Sequence, residues 1–597
     1  MQGFLPITAD EMKRLGWDRP DVVLVSGDAY VDHPSFGVAV VGRTLQAAGY
    51  RVAILPQPNW RDDLRDFRKL GTPRLFFGVS SGAMDSMVNH YTAARRRRSD
   101  DAYTPGGVAG FRPDRAAYVY CRILKQLFPE VPVVVGGIEA SMRRLAHYDY
   151  WDDRLFPSLL ADTPADLLNY GMGERTTLKI ARLLDEGMPL EALHQLPQTV
   201  YLADQPPHGS LMLHSYDECL RSKRCQAENI AAIEHESNKI QSATLVQQHG
   251  ERYVVVNPPE PPMTTDEVDA SFDLPYMRRP HPKYARRGAI PAFEMIRWSI
   301  CTHRGCFGGC SFCTISAHQG KQIASRSAQS IMREVDLLTA DPDFHGVITD
   351  LGGPSANMWG MRGKNPNLCR KCSRYSCSMP SLCPNLNSDH RPMIDLLQRV
   401  SSHPGVKHLY VGSGIRCDLF HDDNAGWDYF RQVVLHHTGG RLKVAPEHSS
   451  AQVLHLMRKP SFDLFRQTKQ RFDQICRQAG LPYQLIPYFI SSHPGCRLED
   501  MAQLALEMKR MGYRLEQVQD FTPTPMTLST EMYYTGLDPT TMQPVYVATR
   551  PDDKADQRRM FQYYRPELQP DIIRSLRRAG LAAYIPKLFP QRAGGRR

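Results

Sequence analysis

Short apolar runs alternate with amphipathic stretches along the first third of the chain. Four runs have the length of buried strands, at residues 21–25, 51–55, 75–80 and 132–137. Helical patterns separate them, among them the stretch from Tyr118 to Phe128. Strands that alternate with helices predict an α/β domain with a parallel, doubly wound, Rossmann-like sheet. Such a sheet binds ligands at the carboxyl ends of its strands.

The pattern weakens after about residue 202 and returns near residue 286. A helical stretch around residues 219–242 and a proline-rich connector over residues 257–284 lie between. We therefore expect three parts: residues 1–285, 286–560 and a helical or disordered tail at 561–597. In the second part, Met295 to Ile300 predicts a strand and Ser327 to Leu338 an amphipathic helix. Further strands are predicted at residues 346–350, 408–411, 441–444 and 484–489.

Composition fits an ordinary globular protein. The 597 residues are 42% hydrophobic and 23% charged, enough for about two or three domains. No apolar run reaches the roughly 18 residues that a membrane helix needs, and the N-terminus lacks a signal-peptide pattern. We expect a cytoplasmic protein with no membrane partner.

The net charge is compatible with binding to nucleic acid but does not by itself indicate it. The formal net charge is +10, a modest excess for this length. The densest basic run, Arg95 to Arg98, is followed at once by Asp100 and Asp101. The run is interpreted as a solvated surface segment, with an RNA or phosphate site as the alternative.

Eight of the 14 cysteines lie between Cys301 and Cys383 in tight groups, which is typical of metal ligands in a reducing compartment. The first group is C-x3-C-x2-C on a glycine-rich loop: Cys306, Cys310 and Cys313. A structural zinc knuckle that lacks one ligand, or inert buried thiols, are the plain alternatives. Three thiolates suit an iron–sulfur cluster with one open iron, and an open position is what a chemical site needs.

This motif, with Phe312 before its last cysteine, resembles the signature of the radical SAM superfamily. The resemblance implies a [4Fe-4S] cluster on the three cysteines, with S-adenosylmethionine (SAM) on the fourth iron. It also implies an electron donor such as flavodoxin or ferredoxin, and a partial (β/α) barrel as the core. Gly352 and Gly353 resemble the superfamily's SAM-binding Gly-Gly element, although Pro354 replaces its usual acidic residue.

Polar residues follow the later predicted strands, at the rim where barrel active sites form. Ser413, Arg416 and Glu447 are candidates for contacting the nucleoside or the methionyl carboxylate of SAM. Each of them could instead be an ordinary loop residue.

A second cysteine group lies in an insert at residues 363–390. Its members are Cys369, Cys372, Cys377 and Cys383. The surrounding sequence has little apolar content and needs a staple to fold. Four thiolates fit tetrahedral zinc, an auxiliary iron–sulfur cluster is the alternative, and free thiols are the third possibility.

The N-terminal third resembles the cobalamin-binding-type domain that precedes many radical SAM cores. Its nearest match to the cobalt-binding pattern D-x-H-x-x-G is Asp32-His33-Pro-Ser-Phe-Gly37, where the spacing fails. We therefore do not expect cobalamin. The domain is expected to shape the substrate pocket.

Several stretches together resemble the YgiQ family of radical SAM proteins. They are the cysteine loop, residues 318–320, residues 445–448, residues 519–525 and residues 529–536. The leading hypothesis is a radical SAM enzyme of unknown substrate that cleaves SAM reductively. One alternative is a radical SAM enzyme that modifies RNA or a ribosomal protein. Another is a non-catalytic iron–sulfur redox protein.

Overall fold

Two α/β units follow one another along the chain, joined by an extended connector. The structure is a computed structural model that describes residues 3–515 and 518–590. The first unit is built on a nine-stranded sheet. From edge to edge its strands are Leu211–Met212, Leu245–His249, Arg252–Val256, Thr199–Ala203, Leu167–Asn169, Val133–Gly136, Phe76–Ser80, Val22–Ser26 and Val52–Pro56.

The strands of the Rossmann-like half are buried on both faces. Val23 and Val25 of the strand Val22–Ser26 point to one hydrophobic core, and Val22 and Leu24 point to the other. Near-continuous apolar runs are what a parallel sheet between two helical layers requires. The longer helices of this unit are Gly37–Ala47, Ala116–Leu127, Glu174–Asp185 and Lys223–Ser237, and a further helix, Thr265–Phe272, lies within the connector.

The far side of this sheet is mostly antiparallel, which the sequence pattern did not indicate; only its edge strand, Leu211–Met212, pairs parallel with Leu245–His249. Thr199–Ala203 pairs antiparallel with both Leu167–Asn169 and Arg252–Val256. Arg252–Val256 in turn forms a hairpin with Leu245–His249. The expected parallel sheet is therefore correct for the five strands from Leu167–Asn169 to Val52–Pro56, and the sheet as a whole is mixed.

The proline-rich connector packs against both units. Arg279–Pro280 pairs antiparallel with Val31–Asp32 of the first unit. On its other side, Arg279 forms an ion pair with Asp341 at 2.9 Å, beyond the end of a helix of the second unit. The connector thus fixes the two units against each other.

The second unit is an open barrel of short parallel strands. Successive parallel pairs join Ser299–Cys301 to Asp350–Gly352, Val347–Ile348 to His408–Leu409, Arg441–Glu447 to Gln484–Ser491, and Gln484–Ser491 to Gln519–Asp520. Its longer helices are Ala328–Thr339, Arg391–Ser401, Gly426–His436, Phe462–Ala479, Leu498–Arg510 and Leu528–Thr535. The expected strand at Met295 to Ile300 begins late, because Pro291–Ile296 is a helix and the strand starts at Ser299.

The chain ends in two further helices, Pro551–Met560 and Gln569–Arg578, and a short one at Ile585–Leu588. Met560, Ile572 and Leu588 belong to the hydrophobic core of the barrel unit. The basic end at residues 591–597, expected to be disordered, lies outside the described residues. No helix among the described residues is long and apolar enough to cross a membrane.

Candidate functional site

The cysteine loop follows the first barrel strand and is tightly folded. Gly305 and Gly309 adopt left-handed φ angles of 84° and 63°. A Cβ on Gly305 would lie 2.1 Å from the carbonyl oxygen of Gln322, and one on Gly309 would lie 2.1 Å from that of Tyr375. Only glycine fits at these two positions, so the sequence G-C-F-G-G-C specifies the turn itself.

The three loop cysteines are half-buried free thiols that influence one another electrostatically. Burial raises the pKa of Cys313 to about 12, and the neighbouring Cys310 and Cys306 contribute to the rise. Among residues 3–515 and 518–590, no three His, Cys, Asp or Glu side chains gather closely enough to hold a single metal ion. A cubane cluster places each thiolate on a different iron and therefore takes a wider spacing than one ion does.

Two buried cations stand beside these thiols. Arg416 Nη1 lies 3.5 Å from Cys310 Sγ, and the same guanidinium pairs with Asp418 at 2.6 Å. Burial lowers the pKa of Lys459, but Glu447, 3.4 Å away, and Cys310 outweigh it and leave that pKa above its usual value. These two cations suit an anionic metal centre, because nearby positive charge stabilises thiolates.

The Gly-Gly element lies where the second barrel strand ends. The carbonyl oxygen of Gly352 accepts hydrogen bonds from the Thr302 backbone N–H at 2.7 Å and from the Thr302 hydroxyl at 3.0 Å. A Cβ on Gly353 would lie 2.5 Å from the His303 ring. The element is thus closely packed against the strand that leads into the cysteine loop.

The remaining predicted SAM contacts occupy the same rim, each with a protein partner. The Ser413 hydroxyl donates to Asp350, whose other oxygen accepts from the Ser413 N–H at 3.1 Å. Burial raises the pKa of Asp350 despite these hydrogen bonds. Glu447 has a left-handed φ of 66° and pairs with Lys459. The structure therefore brings Arg416, Glu447 and the cysteine loop together, and their role toward SAM stays a prediction.

Phe312 packs against a buried row of hydrogen-bonded polar side chains. Its ring lies edge-on to His493 at 6.1 Å between centroids. His493 Nε2 is 2.7 Å from Ser529 Oγ, which is 2.8 Å from Ser311 Oγ in the cysteine loop. These buried hydrogen bonds tie the loop to the helix Leu528–Thr535.

The cysteine-rich insert packs directly on the cysteine loop. The Cys377 N–H donates to the carbonyl of Phe307 at 3.1 Å, and Arg458 lies over the Tyr375 ring at 4.0 Å. Burial raises the pKa of Cys377 to about 11, and Lys321 opposes that rise. The zinc and iron–sulfur alternatives for this group both stay predictions.

A cavity of about 510 Å³ separates the two units. On one side it meets the last residues of four parallel strands, namely Ser26, Ser80, Gly136 and Asn169. On the other side it meets Cys301, His303 and Gly353 of the barrel. This is the place where a doubly wound sheet and a barrel each bind ligands.

One imidazole at this cavity has a partner, among the residues that the structure describes, at only one ring nitrogen. His303 Nδ1 lies 2.9 Å from the Thr302 hydroxyl, which also lies 3.0 Å from the carbonyl oxygen of Gly352. Burial lowers the pKa of His303 to about 4. His303 Nε2 has no hydrogen-bond partner among the described residues.

His33, the nearest match to a cobalt ligand, is buried and engaged at both nitrogens. Its Nδ1 accepts from the Ser35 N–H at 3.1 Å, and its Nε2 lies 3.3 Å from Arg278. Both ring nitrogens of His33 thus have neighbours within the protein, and its exclusion as a cobalt ligand stays a prediction. The broader expectation that the domain works without cobalamin stays a prediction.

The basic run Arg95 to Arg98 is exposed, and Arg95 lies over the Tyr150 ring at 4.4 Å. Its interpretation as a solvated segment agrees with this placement, and an RNA role is untested.

Sequence reasoning missed Lys459, Asp350 and His493. Lys459 and His493 lie far from the cysteine motif in sequence and reach it only through the fold. Asp350, in contrast, stands just before Leu351-Gly352-Gly353. A carboxylate at that strand end is a signal that could have been used.

Known proteins similar to this chain agree on one family. The Radical SAM N-terminal family model matches residues 4–299, and a domain of unknown function, DUF3362, matches residues 516–586. A UPF0313 protein of Porphyromonas gingivalis is 55% identical, covering 99% of this chain and 95% of that protein. A UPF0313 protein of Bacteroides thetaiotaomicron is 53% identical, covering 99% and 98%.

Among solved structures, the radical S-adenosylmethionine methyltransferase TsrM of Kitasatospora setae is similar in two forms. The form with cobalamin and a [4Fe-4S] cluster is 15% identical, with a TM-score of 0.45 over 85% of this chain and 74% of that chain. The form with tryptophan and a SAM analogue is 16% identical, with a TM-score of 0.48 over 94% and 88%. On the full-length relatives and the N-terminal match, the chain belongs to the UPF0313 family, the YgiQ-type branch of the radical SAM enzymes.

Proposed function

We propose that Cys306, Cys310 and Cys313 bind a [4Fe-4S] cluster and that the protein cleaves SAM reductively on it. The observation that carries this proposal is the contact of Arg416 Nη1 with Cys310 Sγ at 3.5 Å, on a loop whose turn only glycine permits. Lys459, paired with Glu447, adds a second positive charge to this region. When bound, the reduced cluster supplies the electron that splits SAM into methionine and a 5'-deoxyadenosyl radical.

The residues of the chain then have separable tasks. Arg416 and Lys459 offset the negative charge of the thiolates, and Asp418 and Glu447 hold these two cations in place. Gly352 and Gly353 offer backbone groups to the methionyl part of SAM at the adjacent strand end. Phe312, with His493 behind it, closes the loop against water.

The substrate is proposed to enter the cavity between the two units. Its volume of about 510 Å³ lies in the usual range for small-molecule sites. Gly353 and His303 reach it from the barrel, so a radical formed at the Gly-Gly element would be enclosed between the two sheets. Enclosure protects a reactive intermediate from solvent.

The test is formation of 5'-deoxyadenosine by the anaerobically reconstituted, reduced protein supplied with SAM. We expect product from the wild type and none above background from a Cys306→Ala, Cys310→Ala, Cys313→Ala variant. Identical product from both proteins, or none from a wild type that holds its iron, would sink the proposal. The second result would favour a non-catalytic redox protein.

A further inference from the structure

A second, smaller cavity of about 150 Å³ adjoins the one between the two units. The two cavities share wall residues, among them Gly171, Arg304 and His318. The smaller cavity lies between the proline-rich connector and the helix Ile315–Gln319, which follows directly on the cysteine loop. A ligand in the larger cavity could therefore extend one group into the smaller one.

Positively charged side chains outnumber negatively charged ones in the lining of the smaller cavity, and most of these cations already have a carboxylate partner. Its cations are Arg144, Arg175, Lys239, Arg304 and Lys321. Arg175 pairs with Glu267 at 3.4 Å, Lys239 with Glu236 at 2.5 Å, and Arg304 with Glu174. Lys321 donates to backbone carbonyls, one of them Asn238 at 3.3 Å.

Arg144 differs from the others because it is buried without a carboxylate. The residue is 5% exposed, and within residues 3–515 and 518–590 no Asp or Glu oxygen lies within ion-pair distance of its guanidinium. One nitrogen donates to the carbonyl of Ser141 at 2.7 Å, and the group lies 5.0 Å over the Tyr170 ring. Its Nε has no partner. Burial lowers the pKa of Arg144, as expected for a cation that no anion compensates.

An unpaired buried cation is costly, and proteins keep such a group where something compensates it. A guanidinium presents a planar fork of donors that matches the oxygens of a carboxylate or a phosphate. Arg144 stands in the wall of a cavity, so the compensating anion can come from a ligand.

We propose that the smaller cavity binds the oxyanion group of a ligand, a carboxylate or a phosphate, with Arg144 as its partner and Lys321 as a second cation. The rest of that ligand lies in the larger cavity. The inference names an anionic small molecule as the substrate class, and in that respect it rests on the function proposed above. Binding of the anion does not depend on any reaction.

The experiment is thermal unfolding of the cluster-containing protein in sodium phosphate, in sodium acetate and in sodium chloride of equal ionic strength. The variants are Arg144→Met, which keeps an unbranched side chain without the charge, and Arg175→Gln, a control whose guanidinium already has a carboxylate partner. We expect phosphate or acetate to raise the unfolding midpoint of the wild type and of Arg175→Gln by about 2 °C over chloride. Arg144→Met should not respond. A response to phosphate alone indicates a phosphate ester, and a response to acetate alone indicates a carboxylate.

Three results would overturn the proposal. An equal midpoint for the wild type in all three salts would mean that neither anion binds. An equal rise in Arg144→Met would place the anion elsewhere. The third concerns chloride alone, where removal of an unpaired charge should leave the midpoint unchanged or higher. A clear drop in Arg144→Met would instead make Arg144 a structural residue. Formation of 5'-deoxyadenosine from SAM, measured separately, tells failure of this site from failure of the proposed enzyme.

Discussion

The two cysteine groups lie against each other, yet their surroundings differ. The loop group has two buried cations beside Cys310, each held by its own carboxylate. In the insert, Lys321 opposes the rise in the pKa of Cys377, but it is held by backbone carbonyls, such as that of Asn238 at 3.3 Å, and by no carboxylate among the described residues. Cys369 accepts a hydrogen bond from the Asn385 amide at 3.3 Å. A cation fixed by a carboxylate directly beside a thiol prepares a site for chemistry, whereas neutral and backbone contacts hold a segment in shape.

The largest expected effect comes from removing each group of thiols in turn, which tests whether the two groups bind separate metal centres. We expect Cys306→Ala, Cys310→Ala, Cys313→Ala to lose about four irons per chain, and all SAM cleavage with them. A variant with serine at Cys369, Cys372, Cys377 and Cys383 should keep those irons and lose its zinc or a second set of irons. Anaerobic iron, sulfide and zinc analysis measures both outcomes. Loss of the same irons from both variants would contradict two separate sites.

Substitution of one arginine in each region tests whether the charge beside the loop thiols matters for SAM cleavage. Arg416→Met leaves Cys310 without its nearest cation, and we expect a 10- to 100-fold loss of SAM cleavage, on the order seen when groups that support metal ligands are removed. Arg374→Met in the insert is the matched control and should keep most of the activity. Rates of 5'-deoxyadenosine formation per bound cluster decide between them. Equal losses in the two variants would show that the contact with Cys310 has no special role.

The contact between the two regions can be broken at one glycine. A methyl group at Gly309 meets the Tyr375 carbonyl at 2.1 Å, so Gly309→Ala must push the insert off the loop. We expect a loss of more than about 2 kcal/mol in unfolding free energy and poor cluster retention. Gly360→Ala is the control, with φ of 76° and no atom within 4 Å of the added carbon, and it should cost about 1 kcal/mol. Similar retention of iron in the two variants would mean that the close approach at Gly309 does not hold the cysteine loop in shape.

The smallest expected effect is on pH dependence near the loop. Burial lowers the pKa of His493 to about 3 and that of His303 to about 4. Both are neutral in the folded protein and take up a proton on unfolding below about pH 6.5, so stability is full above that pH and falls as the pH drops toward 4. Each should cost about 1 kcal/mol at pH 5.5. Urea midpoints between pH 7.5 and 5.5 should fall less in His493→Gln than in the wild type, and the exposed His421→Gln should match the wild type. An equal fall of the urea midpoint in all three proteins would show that His493 does not contribute to the pH dependence of stability.

Local patterns in the sequence predicted much of the fold. Four predicted strands are short, apolar and bounded by turn residues, so the local pattern was sufficient to locate each of them. They are Val22–Ser26, Val52–Pro56, Phe76–Ser80 and Val133–Gly136. The hairpin of Leu245–His249 and Arg252–Val256 was missed, because three of the five residues of its first strand are Gln-Gln-His and its pairing depends on a distant strand.

The candidate site divides in the same way. Spacing alone indicated Cys306, Cys310 and Cys313, since neighbouring ligands leave a local mark. Lys459 and His493 leave none, because each meets the loop only when strands far apart in sequence become neighbours in the barrel. Arg144 looks like any other arginine in the sequence, and only its burial without a carboxylate distinguishes it.

The most direct test of the central claim is the electron paramagnetic resonance spectrum of the reduced protein, recorded with and without SAM. The loop is proposed to hold a cluster with one open iron, so SAM should change the spectrum of the wild type and of the insert variant alike. The loop variant should show no such cluster signal. A cluster signal that survives loss of Cys306, Cys310 and Cys313, or one that SAM leaves unchanged, would contradict the account.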